Sequence, residues 1–106
     1  MKVQYVGTGI FKSENNKIFY CDYGECGGYV ISDTGDIYEI TKRDTNDNPI
    51  EIQITEKSKL IKGFYCDLNL YKSTKKEIYL TCVKHTLNKI IDKGYTDVYL
   101  QLSKAL

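Results

Sequence analysis

Ile50-Glu51-Ile52-Gln53-Ile54 alternates apolar and polar side chains without a break. Successive side chains of a strand point to opposite faces, so this period of two predicts a strand with one face buried and the other wet. Read outward from it, the first half of the chain repeats the theme in shorter form. β-branched and aromatic residues recur near residues 3–6, 18–21, 29–31 and 37–41, and Gly, Asn, Asp or Ser bound these runs. Asn15-Asn16 and Asp33-Thr34-Gly35-Asp36 supply turns, because these residues tolerate the positive backbone dihedrals that hairpins need. Residues 43–49 read as a polar loop. Beyond the alternating stretch, residues 64–71 and 78–80 are expected as two more strands joined by the polar turn Ser73-Thr74-Lys75-Lys76.

One helix is expected, starting after Thr81 as N-cap, with Val83, Leu87, Ile90 and Ile91 on one side. Lys93 followed by Gly94 is its stop signal, the cation complementing the helix dipole and the glycine taking the left-handed position. Val98, Leu100 and Leu102 alternate as a final strand would, although Val98, Leu102 and Leu106 also fit a helix. The expected fold is therefore one α+β domain over residues 1–106: a mostly antiparallel β-sheet with one α-helix near the C-terminus. The chain also echoes itself. Phe19-Tyr20-Cys21-Asp22 recurs as Phe64-Tyr65-Cys66-Asp67, and an Ile-Tyr pair follows each copy, Ile37-Tyr38 and Ile78-Tyr79. The echo suggests a duplicated β-hairpin, with coincidence in a Tyr-rich chain as the alternative.

With 106 residues, 42% hydrophobic and 27% charged, the chain has the composition of an ordinary globular domain. At that length it buries roughly 65% of its unfolded surface, so its four cysteines are not demanded by size. No run approaches the roughly 20 apolar residues of a membrane span, and Met1-Lys2-Val3-Gln4-Tyr5 lacks the apolar core of a signal peptide. These features imply a soluble cytoplasmic protein with no membrane partner. The net charge of +1 excludes a strongly basic nucleic-acid binder. Charge is nevertheless uneven: residues 1–54 carry five cations and nine anions, and residues 55–106 carry ten and five. Lysine outnumbers arginine 14 to 1, with a single Ala and a single Pro, as an AT-rich gene would encode. That usage points toward a phage, virus or mobile-element protein.

Cys21 and Cys26 bracket a glycine-containing loop, and Cys82 and His85 lie three residues apart where the helix is expected to start. Zinc takes four soft or borderline ligands in a tetrahedron, commonly as two local pairs from separate parts of a chain. Residues at i and i+3 of a helix share a face, so Cys82 and His85 can grip one ion. Glycines after Cys26 let backbone N–H groups turn toward thiolate sulfur, and a helix N-terminus favours a thiolate at Cys82. The candidate metal ligands are thus Cys21, Cys26, Cys82 and His85, with Cys66 spare. Alternatives remain: a four-cysteine site that leaves His85 out, thiols with no metal, or disulfides.

A cysteine knuckle on a hairpin, intervening strands and a last ligand pair at a helix start resemble the treble-clef group of zinc-binding domains. The resemblance rests on Cys21, Cys26, Cys82 and His85 and spans about half of the chain. It implies structural zinc and leaves the activity open, since such domains serve nucleic-acid, protein-binding and nuclease roles.

Catalytic signatures are weak. His85 is the only histidine, so a nucleophilic Cys66 or Cys82 would have to use it as base. The pair lacks an orienting carboxylate or oxyanion hole in the pattern. Asp33, Asp36, Asp44 and Asp47 lack the spacing of a calcium loop and read as solvated turn residues. Gly7-Thr8-Gly9 is too short for a phosphate loop. Lys57, Lys59, Lys62, Lys72, Lys75 and Lys76, interleaved with Phe64, Tyr65 and Tyr71, suit nonspecific nucleic-acid contact. Ten tyrosines favour a protein interface, because tyrosine gives large contact area at low entropic cost. The leading expectation is a small protein-binding module, such as an accessory protein or inhibitor of host machinery. A nucleic-acid-binding zinc domain and a small cysteine-dependent enzyme are the alternatives.

Overall fold

The structure is a computed structural model that describes residues 1–21 and 28–106. The described residues form two compact units, Met1–Ser58 and Lys59–Leu106. Strands β1 (Val3–Gly7), β2 (Ile10–Ser13), β3 (Ile18–Tyr20), β4 (Tyr29–Ser32), β5 (Ile37–Arg43) and β6 (Pro49–Gln53) make up the first unit. Helices α1 (Glu56–Thr74), α2 (Glu77–Asp92) and α3 (Thr96–Ser103) follow, α1 beginning in the first unit and continuing through the second.

Each strand pairs antiparallel with the next in chain order. The sheet then nearly closes into a small barrel: Ile52 N–H donates to the Met1 carbonyl and the Met1 ammonium to the Ile52 carbonyl, each at 2.9 Å. Lys2 bridges Glu51 beside them. Val3, Phe11, Phe19, Val30 and Ile52 fill the interior, with Cys21, Tyr38 and Ile40 packed against them. Phe19 meets Tyr38 edge to face at 5.1 Å and Phe11 meets Tyr5 at 5.2 Å.

The turns follow the chemistry read from the sequence. Asn16 (φ +62°) and Gly35 (φ +87°) hold the left-handed positions of their hairpins. In the β5–β6 turn the Asp44 carboxylate accepts N–H groups of Asn48 and Asn46, each at 2.9 Å. The Asn48 N–H foremost holds this carboxyl below its ordinary value. That contribution is present above the ordinary carboxylate range and is lost as pH falls through the lowered value.

The expectation of one helix and two extra strands is overturned. Residues 64–71 lie in α1 and residues 78–80 in α2, so a sheet with a single C-terminal helix becomes a six-stranded near-barrel with three helices. The reason is spacing. Ser58, Ile61, Phe64 and Leu68 are buried at steps of three and four, as are Val83, Leu87 and Ile90, which is the helical period and not the strand period. The duplicated hairpin fails with it, since Phe19-Tyr20 is strand and Phe64-Tyr65-Cys66-Asp67 is helix. Thr81 is not a cap: its hydroxyl donates to the Glu77 carbonyl one turn back, inside α2. The tail is helical because Val98 and Leu102 are buried while Leu100 is 55% exposed, which breaks the alternation. Strand β2 was absent from the sequence reading.

The α2 stop is as expected. Gly94 (φ +80°) donates to Ile91 O at 3.0 Å and Tyr95 N–H to Ile90 O at 3.1 Å, the paired bonds of a Schellman turn. The α1 start is a reciprocal cap. Ser58 N–H donates to Thr55 Oγ1 at 3.2 Å and Thr55 N–H to Ser58 Oγ at 2.8 Å, a capping box with serine in the third helical position. Thr55 Oγ1 also donates to Glu39 Oε1 on β5 at 2.8 Å, tying the first turn of α1 to the sheet. Replacing Thr55 by Ala removes both roles and is expected to cost about 1 kcal/mol in urea unfolding, whereas Thr55→Ser keeps most of it.

Candidate functional site

Three places in the described residues gather chemistry. The first is an open cleft of about 430 Å³ in the second unit, lined by Asp67 from α1 and by Thr81, Cys82, His85 and Thr86 from α2. Burial of Val83, Leu87 and Ile90 leaves Cys82 and His85 exposed on another face of α2. No hydrogen bond links Asp67, Cys82 and His85. The thiol and imidazole therefore do not form the nucleophile and base contact that cysteine catalysis requires. Cys82 and Cys66 are free thiols, both exposed. Cys66, in a stretch expected as strand, takes an exposed position on α1 instead.

The four expected zinc ligands are distributed as follows. Cys21 follows β3 in the first unit, is half-buried and is disulfide-bonded. Cys26 and the rest of the expected knuckle, residues 22–27, lie outside the described residues. Cys82 and His85 sit in the second unit, in the second turn of α2 and not at its start. Among the described residues no group of three or more His, Cys, Asp or Glu side chains is arranged to hold a metal ion.

The second place is the lysine group. Lys57 and Lys62 are engaged within the protein. Lys72, Lys75 and Lys76 are exposed together at the α1–α2 turn, and none is in an ion pair. Phe64 is fully buried and cannot stack on a base. Tyr65 is half-buried and edge-on to Phe64 at 5.1 Å, and Tyr71 is half-buried.

The third place was not legible in the sequence. The register aligns Ile10, Tyr20, Ile31 and Ile37 as one row across β2, β3, β4 and β5. Phe11, Phe19 and Val30 point inward, so this row lies on the outer face of the barrel. It is fully buried only at Ile37; Tyr20 remains 41% exposed, and Ile10 and Ile31 are half-buried. Gln4, Lys12 and Ile18 form the next row on one side, and Tyr29, Glu39 and Gln53 the next on the other. Val6, 55% exposed, extends the apolar surface at the β1 bulge. The missing signal is β2 itself: in Ile10-Phe11-Lys12-Ser13 two apolar residues precede two polar ones, so no period of two is visible, and the stretch follows directly on a glycine turn.

A second depression, of about 290 Å³, is lined in part by Lys17, Phe19, Asp33 and Tyr38 and by the bonded side chains of the β4–β5 turn. Ser32 Oγ and Thr34 Oγ1 bond each other at 2.9 Å, and Asp36 N–H donates to Ser32 Oγ at 3.0 Å. No helix among the described residues is long and apolar enough to cross a membrane. Compared with known proteins, the chain matches no family model, no curated protein and no solved structure.

Alkylation of the folded, unreduced protein with iodoacetamide is expected to label Cys66 and Cys82 and to leave Cys21 unmodified, as read by peptide mass spectrometry. His85→Ala, at an exposed position without a hydrogen bond, is expected to change stability by less than about 0.5 kcal/mol. Unfolding on that substitution is what a structural four-ligand zinc site requires instead.

Proposed function

We propose that the chain is a protein-binding module that holds its partner against the outer face of the barrel, along the row Ile10, Tyr20 and Ile31. The observation that carries this reading is an apolar row, continued by Ile18 and Tyr29 on β3 and β4, with polar residues beyond it: Gln4 and Lys12 toward one edge, Glu39 and Gln53 toward the other. A desolvated apolar centre inside a polar rim is the anatomy of a protein interface, and tyrosine is among the residues enriched at its energetic centre. The occupant that fits is an apolar side-chain cluster of another protein. A nucleic acid would instead need cations at the centre of the surface, and the row has none. Catalysis is not part of this reading, because the thiol and imidazole of the helical unit make no contact that would activate either.

A photocrosslinking residue in place of Tyr20, in the full chain, identifies the partner, which is then purified and titrated by calorimetry. One-to-one binding that weakens at least about tenfold, or about 1.4 kcal/mol, on Tyr20→Glu, with an unchanged thermal melt, is the expected result. Equal affinity of the native and Tyr20→Glu proteins overturns the reading.

A second reading is favoured by Lys72, Lys75 and Lys76, three exposed ammonium groups within five residues of chain and outside any ion pair. It expects oligonucleotide affinity that falls steeply with salt and is lost when the three lysines become Glu.

A further inference from the structure

Cys82 and His85 have no part in the docking row, no hydrogen bond and no partner in the cleft they line. Yet they are a chelating pair. At i and i+3 on the second turn of α2 they share a face, and the buried Val83, Leu87 and Ile90 fix the backbone beneath them. A borderline-soft cation such as zinc binds a thiolate and an imidazole together, but its tetrahedron needs four ligands. Within the described residues the face offers two, since no third His, Cys, Asp or Glu is arranged to complete a site.

We propose that Cys82 and His85 are half of a zinc site that a second copy of this chain completes, joining two copies face to face through α2. The symmetry of the ligands supports a second copy over an unrelated donor. A tetrahedron of two thiolates and two imidazoles has a two-fold axis through the metal, and a two-fold dimer presents the same patch from both sides. The surroundings fit as well. Ile78, 66% exposed and the most exposed large apolar side chain among the described residues, lies one turn before Cys82 on the same face, where a second α2 would cover it. Asp67 lines the same cleft with no hydrogen bond of its own, and supplies the carboxylate that the second N–H of a zinc-bound imidazole seeks. On binding, each Cys82 thiol gives its proton to solvent and no redox step is involved. This assignment is independent of the docking row, which lies on the other unit.

The test is a zinc sulfate titration of the full chain, followed by sedimentation equilibrium and elemental analysis. The expected result is a doubling of mass at one zinc per two chains, reversed by a chelator, with the visible bands of a tetrahedral thiolate site when cobalt(II) replaces zinc. Cys82→Ser and His85→Ala should each stay monomeric in zinc while keeping the native circular dichroism and melt, and Cys66→Ser should still dimerise. Four outcomes overturn the proposal. The chain stays monomeric in zinc; zinc binds at one per chain without a change of mass; Cys66→Ser abolishes the dimer; or a dimer survives the chelator and disappears with a thiol reductant, which marks an intermolecular disulfide.

Discussion

Phe11 and Phe19 face each other across β2 and β3 inside the barrel, and both are essentially inaccessible to solvent. Everything on the outside of the sheet depends on that pair. Because side chains alternate with period two, a slip of one residue would bring Ile10 or Tyr20 inward and expose a phenyl ring, at a cost of several kcal/mol for the buried aromatic alone. The interior therefore fixes the register, and the register sets Ile10, Tyr20 and Ile31 in line on the outer face. The row proposed for docking is a by-product of core packing: of its residues only Ile37, at one end, is buried. Such a surface can change chemically without loss of the barrel.

The helical unit applies the same logic with a different period. Burial at steps of three and four along α2 turns Cys82 and His85 outward, and the Schellman turn at Gly94 ends the helix where α3 must start. Exposure of a thiol and an imidazole on a helix with a packed opposite face costs nothing in core energy. Their chemistry is free to serve a ligand, whereas a buried pair would have to be satisfied within the chain.

The residues show why the barrel was more legible than the helices. Ile50-Glu51-Ile52-Gln53-Ile54 reads correctly as strand up to Gln53, where the fully buried Ile52 and the exposed Gln53 show the alternation, and the Asn16 and Gly35 turns read correctly because few residues accept their dihedrals. Phe-Tyr-Cys-Asp is the instructive failure. Phe19-Tyr20 ends a strand and Phe64-Tyr65-Cys66-Asp67 lies mid-helix, so β-branched or aromatic content decides neither; the spacing of the buried residues around them does. Phe64 gains its place from Ile61 and Leu68, a pattern visible only when the window spans two helical turns. The Thr55–Ser58 cap escaped for a related reason, because serine stands where Glu or Gln usually marks a capping box. For the sites, the spacing of Cys82 and His85 could be read from the chain alone. The row could not, since it joins residues from four strands, one of them unseen.

The two surfaces lie on different units, and that separation has an energetic consequence. None of Ile10, Tyr20 or Ile31 belongs to the helical unit, so a dimer joined through the α2 ligands would use none of the residues proposed for docking. If both proposals hold, two such rows on one assembly would engage a repeated or dimeric partner with the second contact made at a high effective concentration. Avidity can then exceed the single-row affinity by a factor on the order of 10² to 10⁴ without any new contact. Metal availability would then act on binding through the number of rows presented and not through the row itself, a coupling that requires no conformational change in the barrel.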